Sequence, residues 1–285
     1  MIEPSTSNHL KITPEEYNAF CVFLERATGI VLGTDKLYLV NSRLSNLLGD
    51  NNIGSLTDLI VKLQRPMENS LRESVIDAMT TNETNWFRDM HPYSILVDKI
   101  FPQYKDKPQI RIWSAACSTG QEPHTISMCV SEYGEKIGWS IFGNNVKILG
   151  TDIASSVLER AKSGEYNEIE MERGISKERR NRFFEQLNTG KIRLKNIERS
   201  RVVFQPFNLL SSFAILGKFD IIFCRNVLIY FSSEIKIDII TRFANVLNDG
   251  GYLFLGSAES MPSQCEQFKI VHCNPGIIYQ KVYTH

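Results

Sequence analysis

The chain has no net charge, no long apolar run and no paired cysteine motif, and each absence removes a class of function. Its 285 residues hold 32 Lys and Arg against 32 Asp and Glu. A balance of zero argues against a protein that coats nucleic acid or an anionic membrane through bulk charge. No uncharged stretch approaches the roughly 20 apolar residues that span a bilayer, and the opening MIEPSTSNHLKITPEE lacks the apolar core of a signal peptide. A cytoplasmic location without membrane insertion is the expectation. The cysteines Cys21, Cys117, Cys129, Cys224, Cys265 and Cys273 contain no C-x-x-C pair, so buried free thiols are expected and no metal site. Internal repeats and low-complexity tracts are missing too. What is left, 42% hydrophobic and 22% charged, is the composition of a globular protein of one large or two modest domains.

Hydrophobic periodicity divides the chain. Residues 1–80 read as a helical domain. Thr13 followed by Pro14, Glu15 and Glu16 predicts an N-cap, a first-turn proline and acidic first-turn residues. Tyr17, Phe20, Cys21, Leu24 and Ala27 then recur at helical spacing up to Gly29. Further helices are expected from Asp35 to Leu48, Leu56 to Leu63 and Met67 to Met79, with no strand before residue 109. Residues 81–108 read as a linking segment and helix. From 109 to 285, apolar runs (IRIWSAA, VKILGTDI, FDIIFCRN, GGYLFLGSA) alternate with helical segments, which predicts βαβ units and a parallel sheet covered on both faces. An insertion at about 173–205 is expected to form a small antiparallel β subdomain, with GKIRLKNIERSRVVFQ as its hairpin.

Two strand ends carry the chemical signal. The first runs into Ser-Ala-Ala-Cys-Ser-Thr-Gly-Gln-Glu-Pro at 114–123, small residues where a strand turns into a helix. Such a turn lets backbone approach a ligand and presents unpaired N–H groups, yet it is neither G-x-G-x-x-G nor a P-loop. The second strand ends in Gly150-Thr151-Asp152, and an acidic residue there can accept hydrogen bonds from both ribose hydroxyls of an adenosine. Their order and spacing point jointly to a nucleotide-type site.

The blocks TTNETNWFRD (80–89), AACSTGQEP (115–123), LGTDIASSVLERAKSGEY (149–166), FNLL (207–210), FCRNVLIYF (223–231) and GGYLFLGSAES (250–260) resemble, in order, the signature blocks of the chemotaxis receptor methyltransferases, the CheR family. The resemblance implies a class I S-adenosylmethionine-dependent methyltransferase, α/β with a Rossmann-like, mostly parallel sheet, a small all-α N-terminal domain and an inserted antiparallel β subdomain. It implies methylation of glutamates on cytoplasmic domains of methyl-accepting chemotaxis receptors, with S-adenosylhomocysteine as product and the enzyme a monomer. By that similarity Asn82, Thr84 and Arg88 contact the cofactor; Glu122 and Asp152 hold its amino-group region and ribose; Asn208 and Leu209 flank the adenine; Arg225 and Asn226 close the site near the transferred methyl. Arg88 and Tyr230 are the candidates for orienting the acceptor carboxylate. Residue types suit these roles, since carboxylates accept from hydroxyls and ammonium groups, and arginine binds carboxylates.

Several motif residues read more plainly. Cys117 and Cys224 have no base beside them in sequence and read as core thiols. His124 stands where the family has an aromatic residue and reads as a packing substitution, and Trp86 with Phe87 as an apolar anchor between domains. Lys36 and Arg43 could form a basic receptor-docking face or a merely solvated one. Between Arg173 and Arg201 ten basic residues face Glu178, Glu185 and Glu198, a concentration expected to carry attraction to an acidic partner; no segment matches the family's tether-binding loop, so tether-independent action is expected. A nucleic-acid amino-methylating enzyme is disfavoured because Cys-Arg-Asn-Val-Leu-Ile-Tyr replaces the Asn/Asp-Pro-Pro-aromatic element. A silent cofactor-binding protein is disfavoured by the full set of motif residues.

Overall fold

The computed structural model describes residues 12–65, 67–138 and 140–283; the opening segment read for a signal peptide is, apart from its last residues, outside them. The chain forms two compact units. One runs to Thr81 and includes Tyr230–Ser232, and the other comprises Asn82–Ile229 and Ser233–His285.

The first unit is helical: α1 (Pro14–Thr28), α2 (Leu37–Asp50), α3 (Leu56–Leu63) and α4 (Asn69–Met79). Thr13 caps α1 in a full capping box with Glu16, Pro14 opens the helix, and Gly29 closes it at φ 82°. Tyr17, Phe20 and Leu24 meet Val40, Leu44 and Leu48 of α2, Leu59 and Leu63 of α3, and Val75 and Met79 of α4 in one core. Helix α4 starts two residues later than its pattern suggested, leaving Met67 95% exposed. Arg43 is half-buried and turned to its own helical unit. Its guanidinium donates to the carbonyls of Met79 (2.8 Å) and Thr80 (3.0 Å) and to Thr81 Oγ1 (3.0 Å), closing the C-terminus of α4. Lys36 pairs with its exposed neighbour Asp35.

The second unit opens with Asn82–Met90 in irregular backbone, followed by α5 (His91–Ile95), a π-helical turn (Leu96–Ile100) and α6 (Phe101–Tyr104). Then come β1 (Ile110–Ala115), α7 (Gln121–Lys136), β2 (Val146–Asp152) and α8 (Ser155–Ser163). The insertion follows: β3 (Glu165–Tyr166), α9 (Glu168–Glu172), α10 (Lys177–Phe183), β4 (Phe184–Gln186), β5 (Ile192–Leu194) and α11 (Asn196–Arg199). The main fold resumes with β6 (Val202–Pro206), β7 (Phe219–Cys224), α12 (Ser233–Val246), β8 (Leu247–Leu255), β9 (Phe268–His272) and β10 (Ile277–Lys281). Seven strands lie in the order β6-β2-β1-β7-β8-β10-β9, the first five parallel and β10 antiparallel to both of its neighbours. Ile110, Ile112 and Phe223 pack with Ile126 and Val130 of α7, while Trp113 turns the other way, against Phe213, Phe219 and Phe243. This is period-2 alternation between two covered faces.

The insertion lies earlier in the chain than its sequence pattern suggested, beginning at β3 and ending before β6. Val202–Pro206 pairs in parallel with β2 as a strand of the main sheet, and the antiparallel subdomain is β3-β5-β4. Alternating VVFQ fits either sheet, and only the partner strand decides. Trp86 and Phe87 pack within this second unit, Trp86 edge-on to Tyr166 and Phe184 at 4.8 and 5.1 Å, and Phe87 under the guanidinium of Arg179 at 3.8 Å.

Candidate functional site

Strand order reverses between β1 and β7: from β1 the chain proceeds outward to β2 and β6, and from β7 outward to β8. At such a switch point the connections leave toward opposite faces and open a crevice beyond the carboxyl ends of the strands. Ala115, Thr151, Cys224 and Leu255 are aligned in register across β1, β2, β7 and β8. Ala116, Arg225 and Gly256, next in the chain, therefore leave the sheet beside Asp152, the last residue of β2.

Backbone strain is concentrated there. Among the described residues, the non-glycine positions with positive φ are Phe87, Asp89, Met90, Ala116, Ser118 and Asn226, plus Asn52 in the helical unit. Each such conformation costs on the order of 1–3 kcal/mol and persists where its surroundings over-determine it, typically at ligand sites. Gly120 ends the turn after β1 at φ 90°, where a Cβ would stand 2.8 Å from Ala161 Cβ and 3.1 Å from Ala161 Cα. Only glycine lets α7 begin so close to α8.

Asp152 organises one half of the site. Its carboxylate accepts the Ser118 N–H at 2.8 Å and the Ala154 N–H at 3.0 Å, and its carbonyl accepts the Phe207 N–H at 2.9 Å. The turn after β1, the end of β2 and the end of β6 are thereby joined. Asn208 and Leu209 follow directly, Leu209 buried and Asn208 Oδ1 accepting the Leu210 N–H at 2.9 Å. Asn82 enters through its carbonyl, which accepts the Ser118 hydroxyl at 2.8 Å.

Arg225 organises the other half. Its side chain is 2% exposed. One terminal nitrogen donates to Glu122 Oε2 (3.1 Å) and the Tyr93 hydroxyl (3.3 Å), the other to Asp89 Oδ2 (2.7 Å) and the Arg88 carbonyl (2.9 Å). Its Nε is a buried donor with no partner among the described residues. Glu122 accepts the Ser114 hydroxyl on its other oxygen at 2.8 Å. Burial raises the Glu122 pKa above the ordinary carboxylate value, with Arg225 and Ser114 opposing, and burial outweighs them. For Arg225 burial acts downward, but Tyr93, Glu122 and Asp89 hold the cation and its pKa rises. Two carboxylates therefore share one buried guanidinium.

The remaining candidates are placed as follows. Thr84 and Arg88 are half-buried in the strained segment, and the Arg88 guanidinium donates to the Glu83 carbonyl at 3.1 Å. Asn226 follows Arg225 in left-handed backbone. Tyr230 groups with the helical unit, where its carbonyl accepts the Val31 N–H at 2.9 Å. Cys117 and Cys224 are buried and burial drives their thiol pKa values far up, so both are protonated core thiols. His124 is fully buried, with Nε2 at 3.0 Å from the Ala161 carbonyl and its ring against Phe204; burial lowers its pKa to about 4, leaving it neutral. Sequence reasoning passed over Ser114, Ser118, Asp89 and Tyr93. The first three lie inside or beside quoted motif blocks and could have been flagged as polar residues at strand ends or before a helix. Tyr93 sits in a short apolar helix with no local mark of its role.

Comparison with known proteins identifies the family. The model of the CheR methyltransferase SAM binding domain matches residues 82–277, and that of the CheR methyltransferase all-alpha domain matches residues 15–80. A Pseudomonas putida protein named chemotaxis protein methyltransferase Cher2 is 47% identical over 268 residues, 93% of this chain and 97% of the relative. The chemotaxis protein methyltransferase of Vibrio parahaemolyticus is 46% identical over 272 residues, covering 95% and 98% of the two chains, and that of Borreliella burgdorferi is 35% identical over 260 residues, covering 89% and 90%. The chain is a member of the CheR methyltransferase family, an S-adenosylmethionine-dependent methyltransferase whose cofactor-binding domain begins at Asn82.

Proposed function

We propose that this enzyme methylates glutamate side chains on the cytoplasmic domains of chemoreceptors, producing the glutamate 5-O-methyl ester and S-adenosylhomocysteine for sensory adaptation. The groups at the carboxyl edge of the sheet fit the cofactor. Asp152, the last residue of β2, would take the ribose hydroxyls, and Glu122 the ammonium. Asn208 and Leu209 would flank the adenine. Asn82, Thr84 and Arg88 would line the near side, with Arg225 and Asn226 closing the site; the unpartnered Arg225 Nε is a donor for an acceptor on the ligand.

The observation that carries the choice of acceptor is that the titratable groups described at this edge are already engaged, Asp89 by Arg225 and Glu259 by four backbone N–H groups among them. Glu122 and Asp152 are both engaged in hydrogen bonds, Cys117 and Cys224 are held protonated, and His124 is sealed in the core with Nε2 on a carbonyl. An amine or hydroxyl acceptor would need its proton removed. A glutamate, with an ordinary pKa of about 4.3, is already an anion at neutral pH. When bound, S-adenosylmethionine supplies a methyl group activated by its sulfonium. The protein's work is to align the acceptor oxygen and exclude water, and Arg88 and Tyr230 are proposed to orient the carboxylate through a charge-assisted and a phenolic hydrogen bond.

Incubation with methyl-tritiated S-adenosylmethionine and cytoplasmic receptor fragments, then mild alkali, tests this. Carboxyl methyl esters release volatile labelled methanol, and most incorporated label is expected in that fraction. Alkali-stable label, or cofactor binding with no labelling of any receptor, would sink the proposal. Loss of transfer is expected in Tyr230→Phe with retained cofactor affinity, and in Arg88→Ala beyond whatever cofactor affinity that variant loses; full activity in both would remove them from the mechanism.

A further inference from the structure

Beyond the residues assigned above, the turn after β8 holds a carboxylate with an unusual set of partners. Glu259 accepts four backbone N–H groups: Val227 (3.0 Å) and Leu228 (2.7 Å) on Oε1, Asn226 (2.8 Å) and Gly256 (2.7 Å) on Oε2. A carboxylate has about four lone-pair positions, so its accepting capacity is filled. Three of the donors are consecutive in the loop that follows Arg225, beginning at Asn226 with φ 60°. Successive N–H groups around a left-handed residue form an anion-binding concavity, and here a side chain of the same chain occupies it.

Local sequence produces the arrangement. Parallel pairing of β7 and β8 brings Cys224 level with Leu255, so the two following turns run together. Gly256 is required for their approach, because a Cβ there would meet Glu259 Oε2 at 2.7 Å, the Asn226 backbone nitrogen at 2.8 Å and Asn226 Nδ2 at 2.9 Å. Ser257, in the same turn, donates to Asp89 Oδ2 at 3.3 Å, the carboxylate that also holds Arg225.

We propose that Glu259 is a positioning residue: by binding the N–H groups of Asn226, Val227 and Leu228 it holds the loop after β7, and with it Arg225 and Asn226, in the conformation that binds the cofactor. It is a positioning rather than a catalytic residue, since the hydrogen bonds its carboxylate makes among the described residues all come from backbone groups of its own domain. This rests on the cofactor assignment of Arg225 and Asn226 above and not on the identity of the methyl acceptor.

Glu259→Gln is isosteric but replaces one acceptor oxygen by an NH2 group that faces N–H donors. Amide hydrogen exchange at 226–228 and 256 is expected to speed up at least tenfold, and S-adenosylhomocysteine affinity by calorimetry to fall about tenfold, while exchange in β1 and β2 stays within twofold. Glu259→Asp, which keeps the charge on a shorter stem, should fall between wild type and Gln, and it decides the matter if the Gln variant does not fold. Unchanged loop exchange, or equal S-adenosylhomocysteine affinity in every folded variant, overturns the proposal. Failure to methylate receptors would instead sink the acceptor assignment and leave these readouts unaffected.

Discussion

Replacing Arg225 by Met tests whether the buried charge cluster holds the cofactor domain together. Arg225 is 2% exposed, and removing it leaves the Glu122 carboxylate, 12% exposed with a pKa already raised by burial, without its cation. Breaking a buried pair by deleting one partner costs about 3–5 kcal/mol. For a domain near 200 residues that is a fall of roughly 6 to 20 °C in Tm. Glu122→Gln should cost less, about 1–3 kcal/mol, because Arg225 keeps Asp89 at 2.7 Å and the amide oxygen can still accept from Ser114. In the double variant no charge is stranded at position 122, so the two losses should fall short of their sum by about 2 kcal/mol, within the range for contacting pairs. Urea unfolding followed by tryptophan fluorescence suits the question, since Trp86 and Trp113 are both buried in this unit. A loss below about 1 kcal/mol for Arg225→Met, or additivity within about 0.5 kcal/mol, would refute the view that the cluster behaves as one unit.

Other outcomes follow from individual contacts. His124, with its pKa lowered to about 4, must bind its proton on unfolding at mildly acid pH. The stability this group contributes is present above its unfolded value near 6.5 and is lost as pH falls toward 4, roughly 3 kcal/mol in all; urea titrations at pH 7 and pH 4.5 should show His124→Phe losing less than wild type, and equal losses would contradict the burial argument. Arg43→Ala should destabilise the helical unit by about 1–3 kcal/mol, because Arg43 holds the end of α4; unchanged stability with weakened receptor binding would restore the docking reading. Gly120→Ala forces a side chain against Ala161 at φ 90° and should weaken S-adenosylhomocysteine at least tenfold by calorimetry, while unchanged affinity would mean the turn does not cradle the ligand.

The basic insertion shows why charge counted along a chain misleads. Ten basic residues lie between Arg173 and Arg201, yet Arg179, Arg180, Arg182 and Lys191 pair with Glu132, Glu168, Glu135 and Glu165 outside that span, and Arg193 and Arg201 with Glu185 and Glu198 inside it. Glu198 is buried and Arg201 half-buried, both bonded to Ser127 of α7. Much of the apparent excess therefore fixes the insertion to its own domain, and its outward field is weaker than the sequence suggests.

Information local in the chain was legible from the sequence alone. The capping box at Thr13 and Glu16, the left-handed stop at Gly29, the alternation of strand and helix after residue 109 and the acidic residue at the end of β2 each depend on neighbours within a few positions. Steric and hydrogen-bonding rules act at that range. Assigning VVFQ to the main sheet, turning Arg43 inward, joining Arg225 to Asp89, Tyr93 and Glu122 across more than 100 positions, and filling the loop after β7 with Glu259 required tertiary structure. These contacts are set by strand order and register, which bring distant chain ends into one row, and no spacing along the sequence encodes which buried charge meets which.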